Sequence, residues 1–149
     1  MTAKNKDPNS NILSAVAEHT VRFNECDPLG IVWHGNYIKY FEEGREAFSD
    51  KHNFDFVALY NIGISTPIVH VSSDYKKMLQ YRDKITIEAT MKKTAAAKLV
   101  FDYIIRKKDT AELICSGRTI QVFVDRHSQE LQLTTPDYIQ DWLNKVSKK

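Results

Sequence analysis

One long helical repeat, at residues 36 to 50, stands ahead of a run of segments that alternate with period two. Tyr37, Phe41, Gly44 and Phe48 recur three or four positions apart, with Tyr40 and Ala47 beside them. Lys39, Glu42, Glu43 and Glu46 fall mostly elsewhere, so the stretch is predicted to be an amphipathic helix. Gly44 inside it costs roughly 1 kcal/mol relative to Ala, and the reason expected for it is close approach of the helix to a sheet. After Pro67, "IVHVSSDY" is a strand candidate. "KITIEATMKK" puts Ile85, Ile87, Ala89 and Met91 on one face, and "KLVFDYIIRK" alternates Leu99, Phe101, Tyr103 and Ile105 against their neighbours. "AELICSGRTIQVFVD" reads as one long strand with a bulge at Gly117. Ahead of the helix, His19, Val21 and Phe23 alternate with Thr20, Arg22 and Asn24, predicting a strand over 18–24. Short connections, such as the one near Asp109, imply antiparallel neighbours. One helix cannot hide both faces of a five-stranded antiparallel sheet. The expectation is an α+β domain that pairs with a second copy of itself.

The rest of the chain is consistent with one domain. A short helix is predicted over 54–61. Thr135, Pro136 and Asp137 open a final helix whose apolar stripe is Tyr138, Ile139, Trp142, Leu143 and Val146. At 149 residues the chain can bury one core, and the polar start 1–16 is expected to be disordered, leaving a single domain over 17–149. A net charge of +2 is too mild to argue for nucleic acid. No apolar run reaches membrane-spanning length, so membrane insertion is not expected. Two cysteines are too few for a disulfide framework, which points to a cytoplasmic setting. The five histidines show no metal spacing, so no metal and no cofactor is expected.

The stretch "NECDPLGIVWHGNYIKYFEEGREAF" begins as loop and turn and becomes helix at Tyr37. Arg22-Phe23, then Cys26-Asp27-Pro28-Leu29-Gly30-Ile31-Val32-Trp33-His34, then Asn36-Tyr37, resembles the signature of the hotdog-fold acyl-CoA thioesterases. Within that superfamily it is similar to the hydroxybenzoyl-CoA thioesterase and YbgC-like group. Thr66-Pro67-Ile68-Val69 and Ile85-Thr86-Ile87-Glu88 extend the likeness, which covers roughly residues 18–125. The resemblance implies a five-stranded antiparallel sheet wrapped around a long central helix, followed here by a C-terminal helix. It also implies a homodimer or homotetramer with active sites between subunits. The acid at the Asp27 position would be nucleophile or general base, and a backbone amide at the start of the central helix would polarise the thioester carbonyl.

The residues suit that chemistry. Thioester hydrolysis needs an activated water or carboxylate and a place for the developing oxyanion, and a helix N-terminus offers unpaired amides and a favourable dipole. Asp27 is the candidate base. His34 is the second catalytic candidate, through its backbone amide more than its ring. Gly35, Asn36 and Tyr37 form the approach to the substrate, with Gly35 allowing close access and Tyr37 packing against the sheet. Thr66 is a candidate substrate contact that reaches a neighbouring subunit's site. Glu25, beside Asp27, is expected at the surface. A Cys26–His34 thiol mechanism lacks a third orienting residue. Where some relatives carry a basic cluster for CoA phosphates, this chain has Lys92, Lys93 and Lys98 around Thr94 and three alanines. The expected carrier is therefore CoA or an acyl carrier protein. The rival readings are a hotdog dehydratase and a non-catalytic module that binds acyl thioesters.

Overall fold

The computed structural model describes residues 13–147. Five strands form one antiparallel sheet: β1 (Leu13–Thr20), β3 (Ile68–Tyr75), β4 (Lys84–Lys92), β5 (Lys98–Lys107) and β6 (Leu113–Val122), in the order β1-β4-β5-β6-β3. A helix, α1 (Asn36–His52), lies across one face of this sheet. A short helix, α2 (Phe56–Asn61), follows it, and α3 (Asp137–Ser147) closes the end of the domain. The expected α+β hotdog architecture is present, with one addition. A two-stranded ribbon, β2 (Ile64–Ser65) with β7 (Val124–Asp125), sits beside the main sheet.

Packing of α1 follows from its apolar stripe. Phe41 stacks on Tyr103 with centroids 4.4 Å apart, and Phe48 meets Phe101 edge-on at 5.1 Å. Tyr40, Phe41 and Phe48 are fully buried, each worth about 2 kcal/mol of apolar transfer. Gly44 is where helix and sheet come closest: a Cβ there would stand 2.9 Å from Ile87 Cγ2 and 3.2 Å from Ala89 Cβ. Inside the sheet Tyr103 and Thr119 share a buried hydroxyl hydrogen bond of 2.7 Å, so the polar end of the tyrosine is satisfied. At the far end the Trp142 indole N–H donates to the His52 carbonyl (2.8 Å), tying α3 to the last turn of α1.

Three expectations about the elements are corrected. The first strand spans 13–20 rather than 18–24, because it pairs residue for residue with β4, from Leu13 opposite Met91 to Thr20 opposite Lys84. Beyond Thr20 that ladder ends, and Phe23–Glu25 forms a single 3-10 turn instead. The same strand means that Leu13 to Val16 are ordered in the sheet, inside the segment 1–16 expected to be disordered; residues 1–12 lie outside the described ones. The long strand over 111–125 is two strands, interrupted at buried Phe123.

Gly117 is not a bulge. It sits in regular register opposite Tyr103, and the ladder irregularities are at Ile105/Arg106 and Ile68/His70. Its smallness makes room for α1, since a Cβ would fall 2.4 Å from Phe41 Cζ and 2.6 Å from the Ser72 carbonyl oxygen. Phe41 is fully buried and the Ser72 oxygen is backbone, so neither can retreat freely. Gly117→Ala should therefore lose about 1–3 kcal/mol, read as a lower urea midpoint at unchanged slope.

Candidate active site

The segment before α1 is held by its own backbone. The Asp27 amide donates to the Ile31 carbonyl and the Gly30 amide to the Asp27 carbonyl, each at 2.9 Å. Gly30 has φ of 78°, a left-handed conformation that suits glycine and lets the loop double back at this point. Cys26 and Val32 bridge across the loop, and the Val32 amide donates to Leu79 (2.8 Å). The Asp27 carboxylate takes the Leu29 amide on Oδ1 at 2.8 Å, and no further donor reaches it among the described residues. One oxygen is thus fixed and the other is open.

The start of α1 is held by Glu25. Its main-chain carbonyl accepts from the Trp33 amide (2.9 Å) and from the Asn36 side-chain amide (2.8 Å). Between those two anchors lie His34 and Gly35, whose amides donate to no acceptor among the described residues. The His34 carbonyl accepts from the Tyr75 hydroxyl at 2.8 Å, which aims the peptide without using its N–H. Two unpaired amides at the mouth of a 17-residue helix are the donor set that a developing oxyanion requires.

Asp27, His34 and Tyr37 line one cleft of about 380 Å³, together with Leu29, Tyr75, Lys76, Lys77 and Met78. Burial pushes the Tyr37 phenol up to about 12, so it stays protonated and serves as a wall. Burial and the carboxylates of Glu25 and Asp27 push the Cys26 thiol up as well, which removes the thiolate that a Cys26–His34 mechanism would need. Glu25 is not a surface residue. Its side chain is 16% exposed and contacts His19 Nε2 at 2.8 Å, while accepting from the Arg22 amide at 2.7 Å. Partial burial raises the Glu25 carboxyl, but the Arg22 amide and the His19 ring outweigh it and leave the group below its ordinary range.

The remaining expected site residues do not line that cleft. Gly35 is adjacent, but the space a Cβ would take is filled by the Trp33 ring, 2.2 Å from that position, so its smallness serves Trp33 rather than a substrate. Asn36 is buried and committed to the Glu25 carbonyl. Thr66 accepts from the Gln121 side chain through its carbonyl (2.8 Å) and borders an open groove beside Arg45 and Ser49. Lys92, Lys93 and Lys98 rim a third cavity of about 490 Å³ between the β4–β5 hairpin and α3. Neither Thr66 nor these lysines line the Asp27 cleft within one chain. Conversely, Tyr75 to Met78 line that cleft, and no sequence signal marks them. They follow an edge strand with no motif, and only the fold brings them to the loop.

A family model described as the thioesterase-like superfamily matches residues 21–143. A provisionally named acyl-CoA thioesterase of Bacillus subtilis is 30% identical over 111 residues, covering 74% of this chain and 80% of the relative. An acyl-acyl carrier protein thioesterase of Arabidopsis thaliana is 26% identical over 116 residues, covering 78% of this chain and 61% of the relative. The crystal structure of a DHNA-CoA thioesterase from Staphylococcus aureus is similar with a TM-score of 0.80 and 26% identity, covering 91% of this chain and 89% of that one.

The double acceptor at Glu25 is the testable feature of this local structure. Asn36→Leu keeps the volume and removes one of the two donors. It should cost about 1–2 kcal/mol in thermal or urea unfolding, because a part-buried carbonyl loses a partner.

Proposed function

The chain belongs to the thioesterase-like superfamily and is a thioester hydrolase, and from that premise we propose that the Asp27 cleft is its active site. The observation that carries the reading is a carboxylate with an open oxygen on a cleft that His34 also lines, beside the two unpaired helix-start amides of His34 and Gly35. The Asp27 carboxylate attacks the thioester carbonyl carbon or deprotonates the water that does. Negative charge then develops on the carbonyl oxygen, where the His34 and Gly35 amides receive it. Collapse breaks the C–S bond, the thiolate leaves and takes up a proton, and the acyl group departs as the free acid. In the carboxylate-attack variant, water then cleaves the mixed anhydride.

The substrate in this reading is an acyl-CoA or an acyl carrier protein thioester. Relatives named for each carrier support both, and Lys76 and Lys77 stand at the cleft as cations for either anionic carrier. The working unit is proposed to be a homodimer or a homotetramer. The outer edge of β3 has no partner strand among the described residues, and Val69 and Val71 on it are exposed. A second chain on that edge is the proposed route by which Thr66 or the lysines of the β4–β5 hairpin join a neighbour's site. No helix among the described residues is long and apolar enough to cross a membrane, and Cys26 and Cys115 are both free, which supports the cytoplasmic setting proposed for it.

Asp27→Asn keeps the size of the side chain but can neither take a proton nor form an anhydride. In a thiol-release assay over a panel of acyl-CoA and acyl carrier protein thioesters it should lower kcat at least about a hundredfold, with the melting temperature near wild type. A variant as active as the wild type removes Asp27 from the chemistry. Light scattering at micromolar concentration should give the mass of a dimer or tetramer; a monomer would refute the shared site.

A further inference from the structure

His19 is half-buried, and its two ring nitrogens both face carboxylates. Nε2 lies 2.8 and 3.1 Å from the two oxygens of Glu25, and Nδ1 lies 3.2 Å from Glu43 Oε2 on α1. The ring's side chain is 9% exposed and rests on Tyr40 at 4.9 Å between centroids. Arg22 and Glu46 are close enough to act on the charge of Glu43, and on the sheet side His19 stands opposite Ile85, next to Lys84. His19 therefore joins three elements: β1 which carries it, the turn before the Asp27 loop, and the second turn of α1.

What that junction controls is the geometry of the proposed site, and the inference rests on that proposal. The Glu25 carbonyl anchors the chain on both sides of the His34–Gly35 amides, and Asp27 follows Glu25 by two residues. Any movement of Glu25 alters the separation of carboxylate and amides. We propose that His19 is a positioning residue for hydrolysis: with one ring nitrogen toward each acid it clamps Glu25 to Glu43 and so sets the distance between Asp27 and the oxyanion donors. A side chain that reaches only one of the two acids leaves the other free to move, and the clamp slackens.

The test is kcat and KM for wild type, His19→Gln, Glu43→Gln and Asp27→Asn, using the acyl thioester of the panel that wild type cleaves fastest. His19→Gln can reach one acid but not both. It should lower kcat roughly 10- to 100-fold with KM changed less than about threefold. Glu43→Gln removes the second carboxylate of the clamp and should lower kcat in the same direction, again with KM changed less than about threefold. A folded His19→Gln with wild-type kcat, even at reduced melting temperature, overturns the inference and leaves His19 structural. If His19→Gln does not fold, Glu43→Gln decides: a lowered kcat at near-constant KM supports the clamp and a wild-type kcat overturns it. Asp27→Asn separates the two claims. If it is inactive while His19→Gln behaves as wild type, only the positioning role fails; if it is fully active, the site fails and the positioning role with it.

Discussion

Everything in this fold is referred to the contact of α1 with the sheet. Phe41 on Tyr103, Phe48 on Phe101 and the close approach at Gly44 fix the helix in rotation and in distance. Two glycines on opposing elements make it possible: Gly44 clears the sheet at Ile87, and Gly117 clears the ring of Phe41. Close packing of this kind leaves little freedom for sliding, because the interior responds to even a methylene of misfit. The N-terminus of the helix is therefore set as firmly as the core is. A site built on that end inherits a rigid support, which is what preorganised oxyanion donors need.

The elements that were legible in the sequence are those whose pattern has a single period. β3, β5 and α1 lie where their repeats place them, because burial of one face is all that their pattern encodes. The first strand begins five residues ahead of the alternation that predicts it. The alternation over 18–24 is real, yet a strand exists only where it has a partner, and β4 offers none beyond Lys84. The same limit explains Gly117. A glycine in a strand reads locally as a bulge, whereas its cause is Phe41, 76 positions earlier and on another element. Long-range causes leave no periodic mark.

The candidate site divides in the same way. Asp27, the His34 amide and Tyr37 come from one short stretch whose turn residues and helix start are written side by side, and they meet in one cleft. Tyr75 to Met78 reach that cleft only because β3 ends beside the loop, which is a matter of topology. Thr66 and the three lysines, candidates from the sequence, border two other cavities in one chain. Their separation is what a site shared between subunits would look like from one subunit, since α1 is about 25 Å long and the hairpin lysines are near its C-terminal end.

Glu25 and Asp27 show how neighbouring acids come to differ in use. Glu25 is saturated: its carboxylate is taken by the Arg22 amide and His19, and its carbonyl by Trp33 and Asn36. A carboxylate bound in that way is held ionised and in place, turned toward the protein's own donors and not toward a substrate. Asp27 accepts one amide and keeps an oxygen free at the edge of a cleft. Sequence spacing cannot tell these two apart, because both precede the same turn. The distinction arises from His19, six residues before Glu25, which follows β1 into the core and takes hold of one acid and not the other. The acid proposed to react is available because its neighbour does the anchoring.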